Sequence, residues 1–317
     1  MGFGGWSAGG PGWAYAGTHE RDRESVDAML HAFELGVSWI DTAPTYGIGH
    51  SEELVRRALE LVRGERPLVF TKCGRRWDGP TARPRSDHRP ASIRADCEAS
   101  LRRLGVEAID LLQLHWPDTD TGTPVEEAWG ELIRLVGEGK IRSAGVCNFD
   151  VDLLERCESI GQVESVQMPF SLIARDSAGG LMQWCQEHGT RVIVYSPMQV
   201  GLLTDAFSRA SLEALAPDDW RHRHPEFQSP RLERNLALRD ALRPIAEEKS
   251  TTVGGIAVAW TLSWPQVTGA IAGAHTPEQV DGWIDGAKVH LTERDLEVIA
   301  AAIVESGAGS GPARPSA

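Results

Sequence analysis

Short apolar runs alternate with amphipathic helical stretches along the whole chain, and this alternation restricts the fold more than any other feature. The apolar runs are 2–6, 37–41, 68–72, 109–115, 141–147, 165–167, 191–195 and 267–272. Helical spacing predicts helices over 25–35, 51–61, 91–104, 124–136, 151–160, 178–188, 236–249, 253–263, 277–285 and 295–303. Gly36, Gly105 and Gly189 follow three of them, where a left-handed residue ends a helix at least cost. Glu52 and Glu53 fall in the first turn of another, where the helix dipole favours acids. Strands separated by helices pair in parallel through right-handed crossovers. Eight such units in 317 residues predict an α/β fold, a (β/α)8 TIM barrel in a single domain. The barrel is expected over 1–305. The segment 306–317 is rich in Gly, Ser, Pro and Ala and is expected to be a disordered tail. Two long irregular stretches, 74–90 and 199–231, follow the C-terminal ends of strands, the face on which such barrels carry their active sites.

Composition removes several function classes. A net charge of -13 argues against general affinity for nucleic acid or an anionic membrane, while leaving room for a local phosphate site. No apolar run approaches the roughly 20 residues of a bilayer span. Residues 1–12 lack the basic start and apolar stretch of a secretory leader. The five cysteines are odd in number and form no CxxC pair, so neither a disulfide framework nor a structural zinc site is expected, and a reducing, cytoplasmic setting fits. His222 and His224 stand without the further ligands a zinc ion needs, so no metal is expected. Gly2-Phe3-Gly4-Gly5-Trp6-Ser7 lacks the third glycine and the preceding strand of a dinucleotide fingerprint, and no GxSxG or P-loop occurs.

Polar residues gather at strand ends. Asp41, Lys72 and His115 close three consecutive strands, and Tyr46 lies just beyond Asp41. At the mouth of a barrel the four would converge. A phenol ordinarily titrates near pH 10, and a neighbouring ammonium favours its ionised form. A carboxylate would hold the ammonium, and an imidazole could donate to a carbonyl oxygen. Taken singly, each has a plainer explanation: a turn-forming Asp, a solvated Lys, a loop His. Together they describe a proton-transfer device.

The segment Asp41-Thr42-Ala43-Pro44-Thr45-Tyr46-Gly47 with Gly49-His50-Ser51-Glu52, then Leu111 to Asp118, then Gly139 to Phe149, resembles the signatures of the aldo-keto reductase family. Tyr195-Ser196-Pro197 with Gly201-Leu202-Leu203 is similar to its cofactor strap, and the likeness extends from about Gly2 to Ile303. The resemblance implies an NADP-dependent enzyme, with NADPH as cofactor and NADH possible, that reduces an aldehyde or ketone or runs the reverse, the cofactor binding first. It implies Tyr46 as proton donor, Lys72 to depress its pKa, Asp41 to orient Lys72, and His115 to position the carbonyl. It further implies Asn148 and Gln167 on the nicotinamide carboxamide, Tyr195 on its ring, and Ser196, Pro197, Gly201 and Leu203 over the pyrophosphate. Gly273, His275 and Gln279 would meet the adenosine 2′-phosphate and adenine. Thr276, Pro277 and Gln279 also spell an N-cap, N1 and N3 capping box that needs no ligand.

Three departures from the family pattern stand out. His275 replaces a common Arg, which weakens strict NADPH preference, because Arg is always charged and His mostly neutral at pH 7. Cys147 replaces a usual Ser and reads as a small buried thiol. Met1 abuts the first strand where relatives carry a floor-closing β-hairpin, so either the floor is built differently or the start is truncated.

Trp6, Trp77 and Trp116 are candidates to line the substrate pocket, with Tyr15, Phe170 and Met198 in the same predicted mouth loops; general packing is the alternative for each. Arg75, Arg76, Arg83, Arg85 and Arg89 make the first long loop basic, either to attract an anionic substrate or cofactor phosphate or as ordinary solvated residues. Two rival functions remain: a cofactor-binding regulatory subunit with little turnover, as the family's potassium-channel β subunits suggest, and a metal-dependent hydrolase barrel.

Overall fold

The computed structural model describes residues 1–10, 13, 19–79 and 82–315. Eight parallel strands form a closed barrel: β1 (Gly2–Gly4), β2 (Trp39–Asp41), β3 (Leu68–Cys73), β4 (Ile109–Leu114), β5 (Ile141–Cys147), β6 (Ser165–Pro169), β7 (Arg191–Tyr195) and β8 (Val267–Ala272). Each strand pairs with its sequence neighbours. β8 closes on β1 through Gly2↔Ile271 and Phe3↔Ala272, and β1 meets β2 through Phe3↔Ile40 and Gly4↔Asp41. The helices packed outside include α1 (His19–Glu34), α2 (His50–Leu61), α3 (Pro90–Leu104), α4 (Val125–Gly137), α5 (Val151–Glu158) and α6 (Gly180–His188).

The hydrophobic core has two parts, as the in–out alternation of barrel strands requires. One lies between strands and helices and includes Phe3, Val69, Leu112, Val146 and Val194. The other fills the barrel: Trp39, Leu111, Ile193 and Ile271, with Phe70 and Tyr195 packed against them. Trp39, the first residue of β2, stacks on Phe70 at 4.8 Å and blocks the N-terminal end of the barrel from within. The floor is thus filled by an indole.

Local differences from the sequence reading have physical causes. The first run is strand only to Gly4 and continues as a 3-10 turn, Gly5–Ala8. The single helix expected over 236–249 is two, Arg231–Ala241 and Arg243–Glu248, because Pro244 has no N–H to donate and must sit in a first turn. The helix expected over 277–285 stops at Asp281 and resumes as a 3-10 turn, Ile284–Ala287.

The segment after the last helix makes contacts with the barrel near Ala308 and Ser310, while Ser310, Gly311, Pro312 and Arg314 are exposed. The last helix, Glu293–Ser306, ends at Gly307, and the chain then runs against residues 173–175. The buried Arg175 guanidinium donates to Ala308 O at 3.1 Å and Gly311 O at 3.3 Å, and Ala308 is buried. A Cβ on Gly309 would fall 1.9 Å from Ile173 O, so the small residues serve close approach.

Candidate active site

Asp41 ends β2, Lys72 lies next to the end of β3, and His115 follows β4, so the barrel brings all three to its C-terminal mouth. Lys72 Nζ donates to Asp41 Oδ2 at 2.5 Å, Thr42 O at 2.9 Å and Tyr46 OH at 3.2 Å. The Tyr46 and His115 rings stand edge to face at 5.9 Å. All four side chains are buried.

The loop carrying Tyr46 is fixed from below. Thr42 Oγ1 and Ser51 Oγ lie 2.8 Å apart, Ser51 Oγ donates to Gly5 O at 2.8 Å, and Ser51 N donates to Tyr46 O at 3.2 Å. Gly47 turns with φ +66°, and a Cβ there would lie 1.7 Å from Gly9 O, so only glycine fits. Ile48 follows at φ 56°, an unusual conformation for a β-branched residue and a mark of a constrained loop.

Burial and neighbouring charge act on these groups in opposite directions. Burial pushes the Tyr46 phenol up to about 12; Lys72 pulls the other way but is outweighed, so Tyr46 stays protonated through neutral pH. Burial alone would lower the Lys72 pKa, but Asp41 and Tyr46 together raise it, and the ammonium stays charged. Burial, Lys72 and Arg75 hold His115 well below the usual imidazole range, so it is neutral and offers a ring N–H. Burial keeps the Cys147 thiol protonated, in line with its reading as a small buried residue. The arrangement thus presents a protonated phenol and a neutral imidazole to the mouth, with one ammonium beneath the phenol.

The carboxamides lie beside this group. Asn148, at φ 61° just after β5, donates to His115 O at 3.2 Å and accepts from Tyr195 OH at 2.8 Å. Gln167, in β6, donates to Asp41 Oδ1 at 2.8 Å and to Gln113 Oε1 at 3.3 Å; Gln113 Nε2 donates to the same Asp41 oxygen at 3.4 Å. Gln113 was not among the sequence candidates. Its signal was the period of two, Leu111, Gln113, His115, which turns all three toward the barrel axis.

After β7 the strap turns through Ser196, Gln199, Val200 and Gly201, all at positive φ, and is anchored by the buried Pro197, Leu202 and Leu203. After β8, Gly273 and Ala274 run beside the first turn, with Ser7 Oγ donating to Ala274 O at 3.2 Å. Thr276 is the N-cap but makes no side-chain cap; instead Gln279 Oε1 accepts from His275 N at 2.7 Å. The helix-capping explanation of Gln279 is therefore met in part. Burial and the fields of Arg21 and Arg221 hold the His275 imidazole below its ordinary pKa.

The aromatic candidates separate. Trp13, missed in the sequence, packs on Tyr46 at 5.6 Å and on Trp77 at 4.9 Å, and donates from its indole to Trp6 O at 2.8 Å. Trp6 meets Trp220 edge-on at 6.1 Å, and Trp116 is 40% exposed. Trp77 and Trp6 are thus linked to Tyr46 through Trp13, and Trp116 directly follows His115. Phe170 is fully buried between Trp260 and Trp264, part of the core. Met198 packs against the core with its sulfur near Gly254. Tyr15 lies outside the described residues. His222 and His224 have local contacts, to Leu215 O and Glu226 N, and among the described residues no group of three His, Cys, Asp or Glu side chains is arranged for a metal.

The Aldo/keto reductase family profile matches residues 1–304. The chain is 32% identical over 310 residues to the NADH-specific methylglyoxal reductase of Escherichia coli (strain K12), spanning 94% of this chain and 93% of that protein. It is similar to the solved glycerol dehydrogenase of Gluconobacter oxydans, with a TM-score of 0.88 at 34% identity over 100% of this chain and 94% of that one. The holo form of an aldo-keto reductase from Bacillus halodurans gives a TM-score of 0.76 at 25% identity, over 95% and 91%. With its closed barrel, its strand-end residues and this match over nearly its full length, the chain belongs to the aldo/keto reductase family.

Proposed function

We propose that the chain is an NAD(P)H-dependent oxidoreductase that reduces an aldehyde or ketone to the alcohol, or oxidises the alcohol in reverse. The observation that carries this reading is Lys72 Nζ held between Asp41 Oδ2 and Tyr46 OH, with neutral His115 across from the phenol. Tyr46 gives the proton to the carbonyl oxygen, His115 donates a hydrogen bond to that oxygen, and Lys72 with Asp41 stabilises the phenolate that results. A bound nicotinamide supplies the hydride. Asn148 and Gln167 each retain donor or acceptor capacity beyond their internal bonds, as the two ends of a nicotinamide carboxamide require, and Tyr195 presents a flat ring beside Asn148. Tyr195, Ser196, Pro197, Gly201 and Leu203 form the cofactor side of the cleft, and Trp6, Trp77 and Trp116 the substrate side.

NADPH is the proposed cofactor, with NADH accepted. Two cations, Arg21 and Arg221, act on His275 and supply the local positive field a 2′-phosphate needs, although Asp219 also holds Arg221. The neutral imidazole favours relaxed preference, and one relative is named NADH-specific. Tryptophan-fluorescence titration with NADPH and with NADH tests the site, and cofactor consumption with generic aldehydes separates an enzyme from a regulatory subunit with little turnover. His275→Arg is expected to shift the affinity ratio toward NADPH by about tenfold or more, the worth of a charge-assisted bond to phosphate. An unchanged ratio means the 2′-phosphate is held elsewhere.

Gln113 is proposed as a positioning residue. It fixes the Gln167 carboxamide and shares Asp41 Oδ1 with it, so cofactor and proton donor are aligned by one oxygen. Gln113→Leu should weaken NAD(P)H binding about threefold to tenfold, as the loss of one buried hydrogen bond predicts. Wild-type binding would remove Gln113 from the site.

We place the protein in the cytoplasm, without nucleic-acid or membrane partners. Its five cysteines are unpaired and buried, and among the described residues no helix is long and apolar enough to cross a membrane.

A further inference from the structure

The five arginines that follow β3 differ in what they touch. Arg76 lies 3.5 Å from Asp87 and 3.6 Å from Asp96 and donates to Ser92 Oγ at 2.7 Å. Arg85 meets Asp78 at 2.9 Å, and Arg89 grips Asp87 through two nitrogens at 2.9 and 2.8 Å. Arg83 is exposed. Arg75 is half-buried, its backbone paired with Ser86; its guanidinium carbon lies 5.5 Å from the centroid of the Trp116 ring, and the guanidinium makes no hydrogen bond or ion pair to any described residue. Asp120 acts on Arg75 from a distance, but one of its oxygens accepts from Ser86 N at 2.8 Å.

The backbone brings Arg75 to the mouth. Pairing between β3 and β4 continues past the strands, with His115 N donating to Cys73 O at 3.0 Å. Arg75, two residues beyond Cys73, therefore flanks Trp116, one residue beyond His115. Its charge is felt at the His115 imidazole, after burial and Lys72. A partly desolvated guanidinium without a protein acceptor is costly unless something else supplies one. Set over an indole face, a guanidinium can still offer its N–H groups to two oxygens.

We infer that Arg75 anchors an anionic group of the substrate, so that the carbonyl compounds this chain reduces best carry a carboxylate or a phosphate in the same molecule. The inference rests on the reductase reading above and names the substrate class for it. Trp116 lies beside the guanidinium, and Arg75 acts as a specificity-determining residue that does not touch the reacting atoms. The local field also opposes the chain's overall negative charge, which would otherwise repel such substrates.

The test compares wild type with Arg75→Met on two matched pairs, benzaldehyde with 4-carboxybenzaldehyde and glyceraldehyde with glyceraldehyde 3-phosphate. Wild type should favour the charged member of at least one pair by about tenfold or more in kcat/KM. Arg75→Met should erase that preference mainly through KM and leave the neutral member within about twofold. Which pair responds tells carboxylate from phosphate. No preference in either pair for wild type, or a preference that survives in Arg75→Met, overturns the inference. A second readout is binding of benzoate against benzamide to the cofactor-saturated protein, followed by tryptophan fluorescence. If no aldehyde is consumed, the reductase reading fails on its own. Tighter benzoate binding in wild type that is lost in Arg75→Met still supports the anchor, and equal binding in both proteins overturns it.

Discussion

Replacing Tyr46 with Phe is expected to lower kcat by about 10²–10⁴-fold, the usual contribution of a positioned general acid. Cofactor affinity should stay within about twofold, because the phenol contributes no proposed cofactor contact. The change removes one oxygen and leaves the ring. The contacts of that ring with Trp13 at 5.6 Å, His115 at 5.9 Å and the Lys72 ammonium at 5.0 Å do not involve the hydroxyl. Lys72 keeps Asp41 and Thr42 O as acceptors, so no buried charge is stranded. The fold should therefore survive, and the loss should appear in kcat and kcat/KM together. Steady-state kinetics beside a fluorescence titration of the same preparation separate the two effects. A variant that turns over at the wild-type rate would show that the proton comes from another group.

Much of this arrangement was legible in the residues themselves. The bounds of β5, β7 and β8 follow directly from apolar runs limited by turn residues, and Asp41, Lys72 and His115 announce themselves by standing at consecutive strand ends. What escaped needed three dimensions. Gln113 is a single amide in an apolar strand, and only the register of β4 against β3 shows that it reaches Asp41. Trp13 lies far from any strand end and meets Tyr46 by loop packing. The pull of Lys72 on the Tyr46 phenol is visible in sequence order, whereas the burial that outweighs it is not. Composition alone does not show that Gly309 passes within contact of Ile173 O. The basic loop read as uniform, and only its ion pairs separate Arg75 from Arg76, Arg85 and Arg89.

Asp41→Asn should cost about 3–5 kcal/mol of stability, because it leaves a buried ammonium without its countercharge. Asp41 and Lys72 side chains are only 5% and 1% exposed, so water offers little compensation. In a chain of this size that loss lowers Tm by on the order of ten degrees. The sign of the pH dependence follows from the same geometry. Asp41 is the largest of the three groups, with Tyr46 and Cys147, that raise the Lys72 pKa against burial; without it, burial is expected to pull the folded value down. The unfolded state then binds more protons than the native state below the ordinary lysine pKa, so the variant should gain stability relative to wild type as pH rises from about 7 to 10. A double variant, Asp41→Asn with Lys72→Met, removes the stranded charge. It should lose less than the sum of its two single changes, by at least about 1 kcal/mol, as expected for residues in contact. Its turnover should stay as low as that of Lys72→Met, because the phenolate would still lack its ammonium. Thermal unfolding of the four proteins at two pH values decides the matter. Strictly additive losses would mean that the contact at 2.5 Å is not an energetic pair and that the two residues act on Tyr46 independently.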